Sequence, residues 1–406
     1  MKNIITIAWR NVWRNRLRSG LVITSIALGI WAGLFSISFS YGLNAQRTRN
    51  VIQNVISHIQ IHHPSFLQDR NAKFVIPQAD QITAYLDTAK GVKAYTSRLL
   101  INGMASSARG GNGVLITGVN PETEQNVTQI HDQVITGTYF EASYKNQIVL
   151  GKRLAEKLNV REKSKIVLTF QDNLGNLVTG AFRVVGIFES SSSKFDEVNV
   201  FVKTSDVYNL IGTDGGLHEI AILMKDDEQV EPFTARLSDN FEDSDIETWK
   251  EISPELGYAD EVMGLFLYLF LTIIMAALAF GIVNTMLMAV LERKRELGML
   301  MAVGMNKKRV FAMILSETVF LAAVGGPIGI AMAFGSVQYF GTTGIDLSLW
   351  GEGLKNFGID TMVYTQLSPE FYPNIGIMVV VTAILSAIYP ARKALQLNPN
   401  DAIRSI

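Results

Sequence analysis

A membrane protein of four spanning α-helices, with one large mixed α+β domain inserted between the first and second, is the fold class this sequence predicts. Three observations predict it. Four apolar stretches are long enough to cross a bilayer, ordinary soluble sequence separates the first two, and basic residues gather on one set of loops. The 406 residues are enough for two or three domains. Hydrophobic residues make up 48% and charged residues 18%, too polar for a chain wholly within lipid. The chain has no cysteine, so disulfides, thiolate metal sites and thiol catalysis are excluded.

A spanning helix needs about 20 apolar residues. Residues 20–43 and 262–291 carry no charge, residues 310–341 carry only Glu317, and residues 373–391 are again uncharged. The second and third stretches exceed what a bilayer requires, so they are expected to tilt or to project from it. A cleaved signal peptide is the competing reading of the first stretch. It is too long for a signal core, and no A-x-A site follows.

Orientation follows from lysine and arginine. Lys2, Arg10, Arg14, Arg16 and Arg18 precede the first span without an acid, and Arg293, Lys294, Arg295, Lys307, Lys308 and Arg309 separate the second from the third. The third loop has only Lys355 against four acids. Both termini and the middle loop are therefore expected in the cytoplasm, with residues about 44–261 outside it. The organisation expected is 1–46 for a leading amphipathic helix and span 1, 47–258 for the inserted domain with two α+β subdomains, and 259–406 for spans 2 to 4.

Small residues recur at Gly29 and Gly33 in span 1 and at Gly325, Gly329 and Ala333 in span 3, patterns that suit close helix packing and a dimer seam. Glu317 invites an ion- or proton-site reading. With no second ionisable group inside the membrane, a carboxylate satisfied by a neighbouring helix is preferred.

In the inserted domain, alternation over residues 57–62 predicts a half-buried strand. His58 and His62 would then lie roughly 13 Å apart, too far to share a metal. Residues 166–170 and 182–188 flank a polar turn and predict a hairpin. Leu154 and Leu158 mark a short amphipathic helix, residues 190–193 a flexible loop, and residues 225–247 a solvated acidic helix and loop. No nucleophile–base pair or metal-ligand spacing stands out. The only Gly-Lys pair, Gly151-Lys152, is followed by Arg153, so no phosphate-binding P-loop is present and ATP hydrolysis is not expected of this chain.

The stretch 291–309 is the most informative. A charged cluster, nine apolar or small residues and a basic cluster describe a short helix pressed against the membrane face. It resembles the FtsX/MacB/lipoprotein-releasing family of ABC transporter permeases, whose motif close to E-R-x-R-E-[IL]-G-x-L-x-A-[LV]-G follows the second span. Glu292, Arg293, Arg295, Glu296, Leu297, Gly298, Leu300, Ala302, Val303 and Gly304 match it.

Trp9-Arg10-Asn11, residues 14–18, Asn284-Thr285-Met286 and Tyr389-Pro390-Ala391-Arg392-Lys393-Ala394 are similar to other parts of the family, as are Asn398-Pro399 and residues 401–404. So are Gly118-Val119-Asn120-Pro121, Val149-Leu150-Gly151 and Val184-Val185-Gly186-Ile187-Phe188 in the inserted domain.

The resemblance implies a bacterial inner-membrane permease working by leverage rather than through a pore. Residues 292–304 would be the coupling helix docking on a separate ABC ATPase, which would hold the ATP and magnesium. Implied partners are that ATPase, a second permease subunit identical or different, membrane lipids, and a lipoprotein or amphiphile cargo, with no nucleic acid. Because MacB-type exporters carry an ATPase ahead of span 1, the lipoprotein-releasing type is favoured. An FtsX-like mechanical regulator and a MacB-like efflux permease are the alternatives.

Overall fold

A computed structural model describes residues 2–140, 144–212 and 216–396. The similar ending at 398–404 lies outside them. The chain divides into two units: one of residues to Asn44, Glu261–Asp346 and from Met362 on, the other of Ala45–Asp260 with Leu347–Thr361.

In the first unit a leading helix, Lys2–Arg14, precedes span 1 (Arg16–Val51), span 2 (Pro254–Glu292), span 3 (Lys307–Thr343) and span 4 (Phe371–Leu395). Span 2 has 39 residues. At about 1.5 Å per residue a helix of that length extends nearly twice the hydrocarbon thickness of about 30 Å. Its buried residues Leu267, Leu271, Met275, Leu278, Ile282 and Met286 fall every three or four positions on one stripe, packed with Ile26, Ile30, Leu34 and Ile37 of span 1. Leu265, Phe266, Tyr268, Leu269 and Ile273 remain exposed on the same helix, as expected of side chains for which lipid is the solvent.

The second unit is built on a mixed sheet whose ten strands, among the described residues, are β1 (Ile59–His62), β2 (Val92–Ser106), β3 (Gly111–Val119), β4 (Val134–Gly137), β5 (Gln147–Gly151), β6 (Lys165–Gln171), β7 (Leu177–Phe188), β8 (Asn199–Lys203), β9 (Glu219–Met224) and β10 (Asp245–Thr248). Their order is β10-β1-β9-β2-β3-β8-β5-β7-β4, with β6 bridging β2 and β7. The long β2 joins two halves. Val92–Arg98 pairs with β9, and Leu99–Ser106 pairs with β3. Each half has its own core, one around Ile61, Ile82, Ile222 and Phe233, the other around Ile101, Ile148, Leu168 and Phe182.

The hairpin forms as β6 and β7, antiparallel from Lys165↔Arg183 to Gln171↔Leu177. Lys152–Leu158 is the short helix. Three readings are corrected. Strand β1 is buried on both faces, because β10 and β9 flank it and both faces are covered. Residues 190–193 are not a free loop: Ser192 caps the helix Ser193–Val198, and buried Ser190 donates to Asp196 Oδ1 at 2.6 Å. Burial pushes the Asp196 carboxyl up to about 6. Within 225–247 the helix Val230–Asn240 buries Phe233 and Leu237, and Asp245–Thr248 is a strand.

Residues 347–361, which the sequence places with the spans, belong by contacts to the second unit. Lys355 Nζ meets Glu189 Oε1 at 2.6 Å while Lys152 Nζ holds Oε2 at 3.1 Å. Those two lysines keep the Glu189 carboxyl below its ordinary range. Asn50 Nδ2 and Gln46 Nε2 donate to Asp360 Oδ2 at 2.8 and 3.3 Å.

Candidate functional site

The motif residues sit where spans 2 and 3 are joined. Span 2 ends at Glu292, and the helix Lys294–Ala302 begins after Arg293 leaves helical geometry. Leu297 and Gly298 are buried on the inner face of this short helix, whereas Arg295, Met299, Ala302, Val303 and Gly304 are exposed. Met299 and Val303 are 53% and 89% accessible, so the outer face of this helix is open and partly apolar.

The helix ends in a Schellman turn. Met305 N–H bonds Leu300 O at 2.9 Å and Gly304 N–H bonds Met301 O at 3.1 Å. Gly304 has φ +101°, a conformation that a side chain would strain. Leu300 and Met305 both pack on the membrane-unit core, the apolar contact that accompanies this turn. Asn306 then caps span 3, its Oδ1 accepting from Lys308 N–H at 3.1 Å.

The acidic residues of the segment are matched by arginines of the leading helix and the start of span 1. Arg14 Nη2 lies 2.7 Å from both oxygens of Glu296, and Arg18 pairs with Glu292. Arg293 bridges Glu296 at 3.0 Å and Glu317 at 3.0 and 3.2 Å, and Asn11 Nδ2 donates to Glu317 Oε1 at 2.7 Å. Of these groups, Asn11, Arg14, Arg18, Glu292, Arg293 and Glu317 line a polar cavity of 310 Å³ with Asn15 and Ser19. The hydrogen bonds from Arg14 and Arg293 hold the Glu296 carboxyl below its ordinary range. Above the network, Trp9 packs edge-on against Phe320 of span 3 at 5.3 Å.

Glu317 is therefore 7% exposed and satisfied by two neighbouring elements. Motif acids and arginines were visible separately. Their pairing was not inferred, although Arg14/Arg18 and Glu292/Glu296 share a four-residue spacing that antiparallel elements can match.

The small residues of the spans pack inside this chain. A Cβ on Gly325 would meet Ile26 Cβ at 3.0 Å, one on Gly329 would meet Ala27 O at 2.7 Å, and one on Gly33 would meet Ile274 at 3.0 Å. Gly29 faces Leu278 at 3.5 Å. The span 3 stripe thus lies against span 1 of the same chain rather than at a dimer seam. Asn284 is a correction: it is exposed and does not pack. A helix apolar on every side gives no periodic sign of its inner face.

Two family comparisons cover most of the chain. Residues 19–240 match the MacB-like periplasmic core domain, and residues 268–399 match the FtsX-like permease C-terminal family. An uncharacterized ABC transporter permease of Methanocaldococcus jannaschii is 25% identical over 99% of this chain and 98% of its own length. The lipoprotein-releasing system transmembrane protein LolC of Neisseria meningitidis is 21% identical over 94% of this chain and 92% of its own. The macrolide export ATP-binding/permease protein MacB of Wolinella succinogenes is 24% identical over 98% of this chain, which spans only 60% of that relative.

Proposed function

We propose a function from one premise: the chain belongs to the family of ABC transporter permeases that carry a MacB-like periplasmic core domain and an FtsX-like C-terminal part. It is a multi-pass permease. Beyond that, our reading is that ATP hydrolysis in a separate ATPase subunit, which holds the nucleotide and magnesium, moves residues 292–304. Spans 2 and 3 carry that motion to the inserted domain, which lies outside the cytoplasm. A lipoprotein or amphiphile is thereby released from the outer leaflet. A second permease subunit completes the assembly.

The observation that carries this reading is the build of the 292–304 segment. One face is buried and anchored through Glu292, Arg293 and Glu296 to span 1, span 3 and the leading helix, while Met299 and Val303 stand exposed. A lever arm must be rigidly attached and yet present a docking face. Release of lipoprotein is favoured over efflux because the match to LolC runs the length of both chains.

The test is purification of the tagged protein in mild detergent with mass spectrometry of what accompanies it. An ABC ATPase with a bound lipoprotein is expected. An ATPase with a cell-wall hydrolase and no lipoprotein would replace this reading with that of a mechanical regulator, and absence of any ATPase would end it.

A further inference from the structure

The segment 347–361 begins and ends on a short ladder between spans 3 and 4. Ile345–Asp346 pairs antiparallel with Met362–Val363, and Leu347 N–H carries the pattern one step on by bonding Thr361 O at 2.7 Å. Between these ends the chain forms a 3₁₀ turn, Ser348–Trp350, and the helix Gly351–Asn356. The helix has two unlike sides. Lys355 is held by Glu189, and Asp360 beyond the helix is held by Asn50 and Gln46, so these charges are turned toward the inserted domain. Trp350 and Phe357 flank the helix seven positions apart, which puts them on one side. Lys355, five positions from Trp350, points about 140° away around the helix axis. The aromatic side is open. Trp350 is 63% exposed, Phe357 70%, and Leu349, next in the chain to Trp350, 91%. Gly353, between the two rings, has empty space where a Cβ would point.

Single exposed apolar side chains are ordinary, but three within nine residues, two of them aromatic, form a patch that water does not favour. What covers it follows from where the loop is tied. Its ends run into span 3, which finishes at Thr343, and span 4, which begins at Phe371. Trp350 is seven residues past Thr343, a reach of at most about 25 Å. The lipid-facing side of span 3 keeps large rings exposed to its end, at Phe334 and Tyr339, and Tyr364 is exposed just after Met362–Val363. Aromatic rings gather where a spanning helix leaves the hydrocarbon, because the ring prefers the apolar boundary while its polar edge stays hydrated. Along the chain, Trp350 and Phe357 extend that run, and Leu349, Trp350, Gly353 and Phe357 bring no charge to it.

We propose that the helix Gly351–Asn356 is a foot resting in the bilayer surface, with Leu349, Trp350 and Phe357 among the headgroups and upper acyl chains while Lys355 keeps its hold on Glu189. The partner is a lipid surface, recognised by apolar and aromatic area rather than by headgroup charge. This goes beyond the permease reading and requires only that spans 3 and 4 cross the bilayer.

The chain has no cysteine, so a single one can be introduced and labelled. Leu349→Cys, Trp350→Cys and Phe357→Cys, each carrying a bimane fluorophore, are placed as full chains in phosphatidylcholine nanodiscs. Leu174→Cys, at the exposed turn of the hairpin in the inserted domain, is the reference. Lipids with a doxyl quencher on an upper acyl carbon should quench the loop labels about threefold more than the reference, and aqueous iodide should quench them less. Quenching by iodide equal to the reference, with none by the lipid, would place the patch in water and overturn the proposal. Shielding from both quenchers would mean that a protein surface, such as a second copy of this chain, covers the patch, and would overturn it as well. The three sites are all on the surface and independent, so the test stands if one variant does not fold.

Discussion

Glu317→Leu tests the network that anchors the 292–304 segment most directly. The carboxylate accepts from Asn11 at 2.7 Å and from Arg293 at 3.0 and 3.2 Å, and it is 7% exposed. Removing one member of a buried pair costs about 3–5 kcal/mol when the partner is left bare. Arg293 is not left bare, because Glu296 still holds its Nε at 3.0 Å. The lost bonds to a charged group then set the scale, about 2 kcal/mol. This cost falls on docking of the leading helix and the 292–304 segment rather than on the whole fold.

A local penalty of ~2 kcal/mol raises the opened population about 30-fold. Hydrogen exchange by mass spectrometry in nanodiscs should therefore show peptides from residues 2–18 and 292–304 exchanging faster by about that factor, with the inserted domain unchanged. Adding Arg293→Met should restore part of the protection, since an apolar side chain then faces the leucine at position 317 in place of a guanidinium that keeps only Glu296. Unchanged exchange in Glu317→Leu, or a double variant worse than the sum of the singles, would refute the network as an anchor.

Gly304→Ala should destabilise the turn after the helix Lys294–Ala302 by about 1–2 kcal/mol and, on the proposed function, lower ATPase stimulation in the assembled complex while leaving insertion intact. Glu292→Lys breaks the pair with Arg18, and Gly298→Pro breaks the short helix; both should uncouple ATP hydrolysis from cargo release, measured together in reconstituted vesicles. Arg98→Met leaves buried Glu124 and Glu219 without their shared cation and should lower the unfolding free energy of the inserted domain by about 3–5 kcal/mol, read from chemical denaturation. Asp196 has its folded pKa raised from 3.8 to about 6, so the folded state binds the proton more tightly than the unfolded. Its stabilisation is complete below the ordinary value and is lost as pH climbs towards 6, and Asp196→Asn should flatten that decline of up to ~3 kcal/mol.

The spans were legible because uniform apolarity over twenty residues has few other meanings in an aqueous cell. The hairpin β6–β7 was legible from a polar turn between two β-branched runs, and the 292–304 motif from its match to a known pattern. Other features were not. Strand β1 looked half-exposed because Gln60 and His62 are polar, yet both are buried and hydrogen-bonded, which pattern alone does not reveal. Asp245–Thr248 was hidden by its acids, since a strand at the end of a sheet tolerates charge. The pairing of Arg14 with Glu296 joins residues 282 positions apart, a separation across which no local rule reaches.

The assignment of Leu347–Thr361 to the unit of Ala45–Asp260 sets the rule for exchanging parts between relatives. A chimera that transplants only the long insertion would sever Lys355 from Glu189 and Asp360 from Asn50. The transplantable module is discontinuous. It comprises two segments with four splice points, and a recipient chain must receive both for the graft to keep its native ion pairs.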